Sequence, residues 1–358
     1  MTVGDSIVGM RRLVQLGVAQ PHFTHTGEIA AWLGAVQGQD FLGTKWAFGR
    51  RLPGSTEADI DRALADRQII RIWGLRGTLH YVAPEDVHWI VALIAPRLIA
   101  GNALRYRQLE LDEPTLIRST QIIAAALGAE GQLTRGELFI RLQAEGISTA
   151  GQRGVYMLQR AGLERLIVQG EMRGAETTFH ALDEGKTLPK EEALAELARR
   201  YFTSHSPTTL ADFTAWAGLT VGEARTGFHA VKSELIEERI DGQDYWITPN
   251  LTAQPSPSLV MLPGFDEFVL GYRDRTAVLE PAFADAICPG GNGMFSPTIV
   301  RNGRIIGTWK RTVKKKAVVL DYQTFYPLSA SDQAALADAA NAYGAFLGLP
   351  AVLQEITR

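Results

Sequence analysis

The sequence has one cysteine, Cys288, in 358 residues. That excludes an internal disulfide, and without companion cysteines at metal spacing it argues against a zinc site. No stretch approaches the roughly eighteen uninterrupted apolar residues of a membrane-crossing helix. The opening residues MTVGDSIVGMRRL lack the basic segment and apolar run of a secretion signal, so a cytoplasmic location with no membrane partner is expected. Several catalytic signatures are also missing: the GxSxG elbow, the GxxxxGK[ST] phosphate loop and a cysteine–histidine pair. Gly290-Gly291-Asn292-Gly293 lacks the strand and helix context of a dinucleotide site. Hydride, phosphoryl and thiol chemistry are therefore disfavoured. His22 and His25 stand in a loop-like segment without further ligands and suit surface positions, so neither a metal nor a cofactor is expected.

What is present is an ordinary folded composition, 46% hydrophobic and 21% charged, in a chain longer than one hydrophobic core usually serves. Two to four modules are expected. A net charge of −3 suits a nucleic-acid binder only if charge is segregated. It is segregated: between Ala286 and Leu320 no residue is acidic, while Arg301, Arg304, Lys310, Arg311, Lys314, Lys315 and Lys316 are basic. A solvated lysine-rich hairpin would carry the same residues.

Three segments share a texture, namely FTHTGEIAAWLGAVQG from Phe23, QLTRGELFIRLQAEGI from Gln132 and SPTTLADFTAWAGLT from Ser206. In each a Thr or Ser at a capping position precedes an apolar run with helical spacing. Each is followed by a further helix and a hairpin pattern, with turns at Gly74 to Gly77, at Arg173-Gly174 and at Asp241-Gly242. After Pro255-Ser256-Pro257 the texture becomes strand-rich, with a hairpin at Asn302-Gly303 and a final helix in SDQAALADAANAYGAFLG. The expected fold is α+β: three tandem winged-helix motifs over 1–100, 101–190 and 191–255, then a β-rich module over 256–358.

At about 100° per residue, Ile29, Leu33 and Val36 form one helical stripe. Continued, the stripe reaches Asp40 and Thr44, with Gln37 beside it. An apolar stripe that turns polar either leaves the core or lines a polar cleft. Gln37 and Gln39 diverge in a regular helix, so they share a cavity only if the helix is distorted or ends there. An exposed helix end would explain the same residues. Thr78 and His80 alternate on the first hairpin and share a face, flanked by Arg76 and Tyr81. Trp32, Phe41 and Trp46 suit the core.

Four elements together resemble the winged-helix DNA glycosylase family typified by AlkZ. They are Gln37-Gly38-Gln39, RGTLH at 76–80, PGFDEFVLGYRDR at 263–275 and GTWKR at 307–311, and the resemblance spans essentially the whole chain. It implies an open C of three winged-helix motifs around duplex DNA, with the two glutamines at the centre of a basic channel. It further implies monofunctional hydrolysis of the N-glycosidic bond of an N7-alkylated guanine, without metal or Schiff base. A related branch carries Asp at the second glutamine; Gln at both positions here leans toward the crosslink-unhooking branch. Gln37 and Gln39 are then the catalytic candidates, with Asp40, Thr78 and His80 in support. Arg76, Arg301, Arg304, Lys310, Arg311 and Lys314 are the DNA-binding candidates, Arg301 and Arg304 flanking a groove-probing tip at Asn302-Gly303. The expected partner is double-stranded DNA carrying alkylated bases or crosslinks, bound by a monomer that is nucleoid-associated when bound. The competing classes are a non-catalytic winged-helix regulator and a resistance protein that sequesters a DNA-damaging metabolite.

Overall fold

Helices start where a side-chain oxygen can take up their free amides. Reciprocal capping boxes open them at Thr56/Asp59, Thr134/Glu137, Thr209/Asp212, Thr220/Glu223 and Ser329/Asp332. The computed structural model describes residues 4–249, 251 and 259–356 and is a mixed α+β protein. The first repeated segment departs from expectation, because its helix, Thr26–Leu33, follows His25, which provides no side-chain cap. The Pro255-Ser256-Pro257 linker lies outside the described residues.

The helical stripe from Ile29 to Thr44 is corrected. The chain there is a helix, Thr26–Leu33, a short strand, Val36–Gln37, and a second helix, Phe41–Arg51. Gly34 at φ +76° ends the first helix, and Asp40, whose side chain accepts from the Gly43 amide, caps the second. The hairpins are where turn chemistry put them. Asp241 and Gly242 (φ 49° and 83°) join Ile236–Ile240 to Gln243–Ile247, and Asn302 and Gly303 (φ 46° and 77°) join Thr298–Arg301 to Arg304–Lys314. Both central residues at positive φ are what a tight two-residue turn requires.

A six-stranded sheet runs in the order Val36–Gln37, Leu79–Val82, Ile70–Trp73, Ile167–Arg173, Glu176–Ala181, Gln132–Thr134. Hairpins from the first and second segments thus join edge to edge, at the pairing of Arg71 with Gln169. A five-stranded sheet orders Ala351–Glu355, Ala317–Thr324, Arg304–Lys314, Thr298–Arg301 and Leu259–Leu262. One core cluster runs from Leu13 and Ile29 to Leu320 and Phe346, so early and late parts of the chain share it. A second packs Ile72 and Trp89 against Tyr201 and Trp216, and a third lies within Tyr106 to Phe179. No helix among the described residues is long and apolar enough to cross a membrane.

The helix Phe41–Arg51 is tied to the late module at three points. At its start Asp40 meets Arg311, with Nη2 2.6 Å and 2.8 Å from the two carboxylate oxygens. In its middle the Trp46 indole donates to the Met261 carbonyl (2.8 Å). At its end Arg51 forks onto both oxygens of Asp266 (2.8 Å and 3.0 Å), with both residues buried. Asp266 thus forms an internal Asp–Arg pair that locks the late module onto this helix.

Removing one partner of a buried pair strands the other charge. Asp266→Ala is expected to lower stability by about 3–5 kcal/mol, measured as a shift in the urea midpoint at constant slope.

Candidate active site

The strand Val36–Gln37 pairs antiparallel with Leu79–Val82, placing Gln37 opposite His80. The Gly38 amide extends the ladder with a 2.7 Å bond to the Leu79 carbonyl. Directly opposite residues share a face, and Thr78, whose extended backbone leads into that strand, stands two residues before His80. The structure therefore brings Gln37, Thr78 and His80 together. Thr78 Oγ1 lies 3.2 Å from Gln37 Oε1 and 3.1 Å from the Leu75 carbonyl, and its single proton serves both.

The two glutamines are not equivalent. Gln37 is 6% exposed, whereas Gln39 is exposed. The helical divergence expected of them does not arise, because Gln37 ends a strand and Gln39 lies in the bend that follows it. Gly38 between them is closely packed: a Cβ there would lie 3.0 Å from the Tyr81 ring and 3.3 Å from the Leu79 carbonyl, so the ring would have to give slightly to admit one. Its carbonyl accepts a 2.8 Å bond from Nη2 of Arg71, a buried residue whose Nε has no partner. Arg71 was missed in the sequence, although a guanidinium inside the apolar run IIRIW was a visible signal. Thr44 Oγ1 lies 2.8 Å from the Gln37 carbonyl and 2.7 Å from that of Asp40, and so closes the turn from below.

His80 is fully buried, and its Nδ1 donates to the Thr78 carbonyl at 3.1 Å. Its Nε2 has no partner. Burial first, then the positive charge of Arg76, pushes its pKa down to about 3. A ring so placed is neutral and orients Thr78; it takes up no second proton near neutral pH. Asp40 is likewise engaged, as helix cap and as partner of Arg311.

The basic candidates divide. The tip at Asn302-Gly303 is corrected as a groove probe because the helix Ile7–Gln15 covers it. Ser6 N donates to the Asn302 carbonyl (3.0 Å), Asn302 Nδ2 to Asp5 (2.9 Å), and a Cβ on Gly9 would fall 1.9 Å from the Gly303 oxygen. Arg301 pairs with Asp332 (3.1 Å), and Arg304 is half-buried beside it. Arg76 donates to the Trp216 carbonyl from an exposed position. The open basic turn is the next one, where Lys315-Lys316 joins Arg304–Lys314 to Ala317–Thr324. Lys310, Lys314, Lys315 and Lys316 are exposed, and Arg311 on the same strand reaches back to Asp40. Trp46 is core, while Trp32 and Phe41 are half-buried. Among the described residues no group of three His, Cys, Asp or Glu could hold a metal ion.

The family model described as DNA glycosylase AlkZ-like matches residues 30–346. The chain belongs to that family. As an AlkZ-like protein it is an enzyme of the DNA glycosylase class. It is 24% identical over 278 residues to the interstrand DNA cross-link repair glycosylase of Streptomyces sahachiroi, covering 70% of this chain and 72% of that one. The solved structure of Streptomyces sahachiroi DNA glycosylase AlkZ superposes with a TM-score of 0.79 at 22% identity, covering 97% of this chain and 98% of that one. The AlkZ-like fold therefore extends over nearly the whole molecule.

The buried imidazole gives stability a pH dependence. Below pH 6.5 an unfolded His80 takes up a proton that the folded site refuses until about pH 3, so its contribution is full above 6.5 and is lost as pH falls toward 3. Two pH units into that window correspond to about 2–3 kcal/mol. His80→Phe is expected to flatten the wild-type fall in unfolding free energy between pH 7 and 4.5, measured by urea titration at both.

Proposed function

We propose that this AlkZ-like enzyme hydrolyses the N-glycosidic bond of N7-alkylated guanine in duplex DNA, including guanines tied into interstrand crosslinks. The single observation that carries the reading is the joining of the Gln37-Gly38-Gln39 element to the open lysine hairpin through Asp40 and Arg311. One amide is fixed by Thr78 and the other is exposed to solvent. The cross-link repair named for the Streptomyces sahachiroi relative points to the same substrate class.

The chemistry suits uncharged side chains. An N7-alkylguanine carries positive charge, so it leaves as a neutral base when the C1′–N9 bond breaks, without prior protonation. A water adds through its oxygen to C1′ and gives up a proton to solvent, leaving an abasic site. The catalyst has to hold that water and the deoxyribose while positive charge develops on the sugar. Gln37, fixed by Thr78, and Gln39, open to solvent, take these two tasks. Asp40, already neutralised by Arg311, sets the turn. Three helix–hairpin segments acting as winged-helix modules around the duplex leave the lesion reachable without flipping a base that is tied to the opposite strand, the step other glycosylases use.

Lys310, Lys314 and their neighbours hold phosphates. Family membership tells against the regulator, which would bind DNA and release nothing.

Incubation with DNA containing N7-methylguanine, followed by alkaline cleavage, is expected to show abasic sites. Gln37→Ala and Gln39→Ala should each slow release by about 10²–10³-fold with folding intact; undiminished release from both variants overturns the assignment. Replacing Lys314, Lys315 and Lys316 together by Ala should reduce the slope of log affinity against log salt by about 0.9 for each phosphate no longer neutralised. An unchanged slope removes the hairpin from the interface.

A further inference from the structure

Beside the segment 263–275 lies a cavity of about 640 Å³ that shares no residue with the glutamine site. Its walls are mostly apolar, among them Leu279, Pro281, Ile287 and Phe295, and one side is formed by the glycine-rich stretch around Gly290 and Gly291. Both glycines have positive φ, and a Cβ on either would meet nothing within 4 Å.

One cation lines the cavity. Arg275 is held by its Nε, which donates to the Val269 carbonyl at 2.7 Å, and its guanidinium carbon sits 4.8 Å from the centre of the Phe295 ring. Its two terminal nitrogens make no hydrogen bond or ion pair among the described residues. The arginine is therefore fixed in place with its outer edge unused. The carboxylate at the rim, Asp285, has one oxygen turned to the Gly290 amide, which donates to it at 2.7 Å.

A pocket of this size holds a drug-sized molecule, with apolar walls contributing affinity and a few polar groups fixing orientation. A planar guanidinium fork matches a carboxylate or sulfonate, and its hydrogen bonds to an anion are the strong, charge-assisted kind. We propose that this cavity is a second ligand site, for a small apolar molecule bearing one carboxylate or sulfonate. Arg275 binds the anionic head, and Leu279, Ile287 and Phe295 enclose the body. DNA does not fit this description, since its anionic groups are flanked by sugars and not by an apolar body.

Cys288 lines the same cavity and is the sole cysteine of the chain, so its alkylation is an unambiguous reporter. Full-length protein is treated with iodoacetamide and followed by intact mass, with 2-naphthoate as ligand and 2-naphthalenemethanol as its uncharged counterpart. Naphthoate is expected to slow Cys288 alkylation, the alcohol to be weaker by about tenfold or more, and Arg275→Gln to erase that preference without lowering the melting temperature. Ala284→Trp fills the cavity and should abolish naphthoate binding in equilibrium dialysis, a readout that needs neither Cys288 nor Arg275. Alkylation indifferent to naphthoate, equal protection by the alcohol, a preference that survives Arg275→Gln, or undiminished binding to Ala284→Trp each overturns the proposal.

Discussion

One helix, Phe41–Arg51, determines where the glutamines stand, and three polar ties determine where that helix stands. Two of them are ion pairs at its ends, Asp40 with Arg311 and Arg51 with Asp266, and the third is the Trp46 indole on the Met261 carbonyl. A helix held only by apolar packing can rotate or slide by small amounts at little cost. Ion pairs at both termini remove that freedom, because displacement leaves charges facing partners out of reach. The turn carrying Gln37 and Gln39 ends at Asp40, so its position relative to the lysine hairpin is set by the first of these ties.

The site also controls its own charge. His80 is neutral because burial and Arg76 both oppose its protonation, and the carboxylate nearest the glutamines is already paired. On the proposed assignment, the groups left for chemistry are two amides and a hydroxyl. Such a set suits a leaving group that arrives with its own positive charge, and it would serve poorly where an acid must protonate the departing atom.

The legible parts of the sequence were those written in local chemistry. Turns with Asp-Gly and Asn-Gly, the caps at Thr134 and Thr209 and the closing helix Ala330–Leu347 all follow from a few adjacent residues. The stripe from Ile29 to Thr44 misled because Ile29, Leu33 and Val36 are all buried, two on a helix and one on a strand, and burial alone does not record which. The prominence of Gln37 and Gln39 rested on the family resemblance more than on spacing. Arg71 and the Asp40–Arg311 pair escaped because their partners lie far along the sequence, the Gly38 carbonyl 33 residues from Arg71 and Arg311 271 residues from Asp40. The hairpin at Asn302-Gly303 was read correctly as a turn and incorrectly as a free tip, since what covers it begins at Ser6.

The ties on that helix join residues 215 and 271 positions apart. Contacts of such sequence separation slow folding, because a long loop must close before they reward it. On the ribosome, the strand bearing Gln37 emerges well before the sheet that anchors its helix. The nascent chain therefore waits for its last third before the glutamine turn is fixed, while the cluster from Tyr106 to Phe179 draws its buried residues from a single earlier stretch.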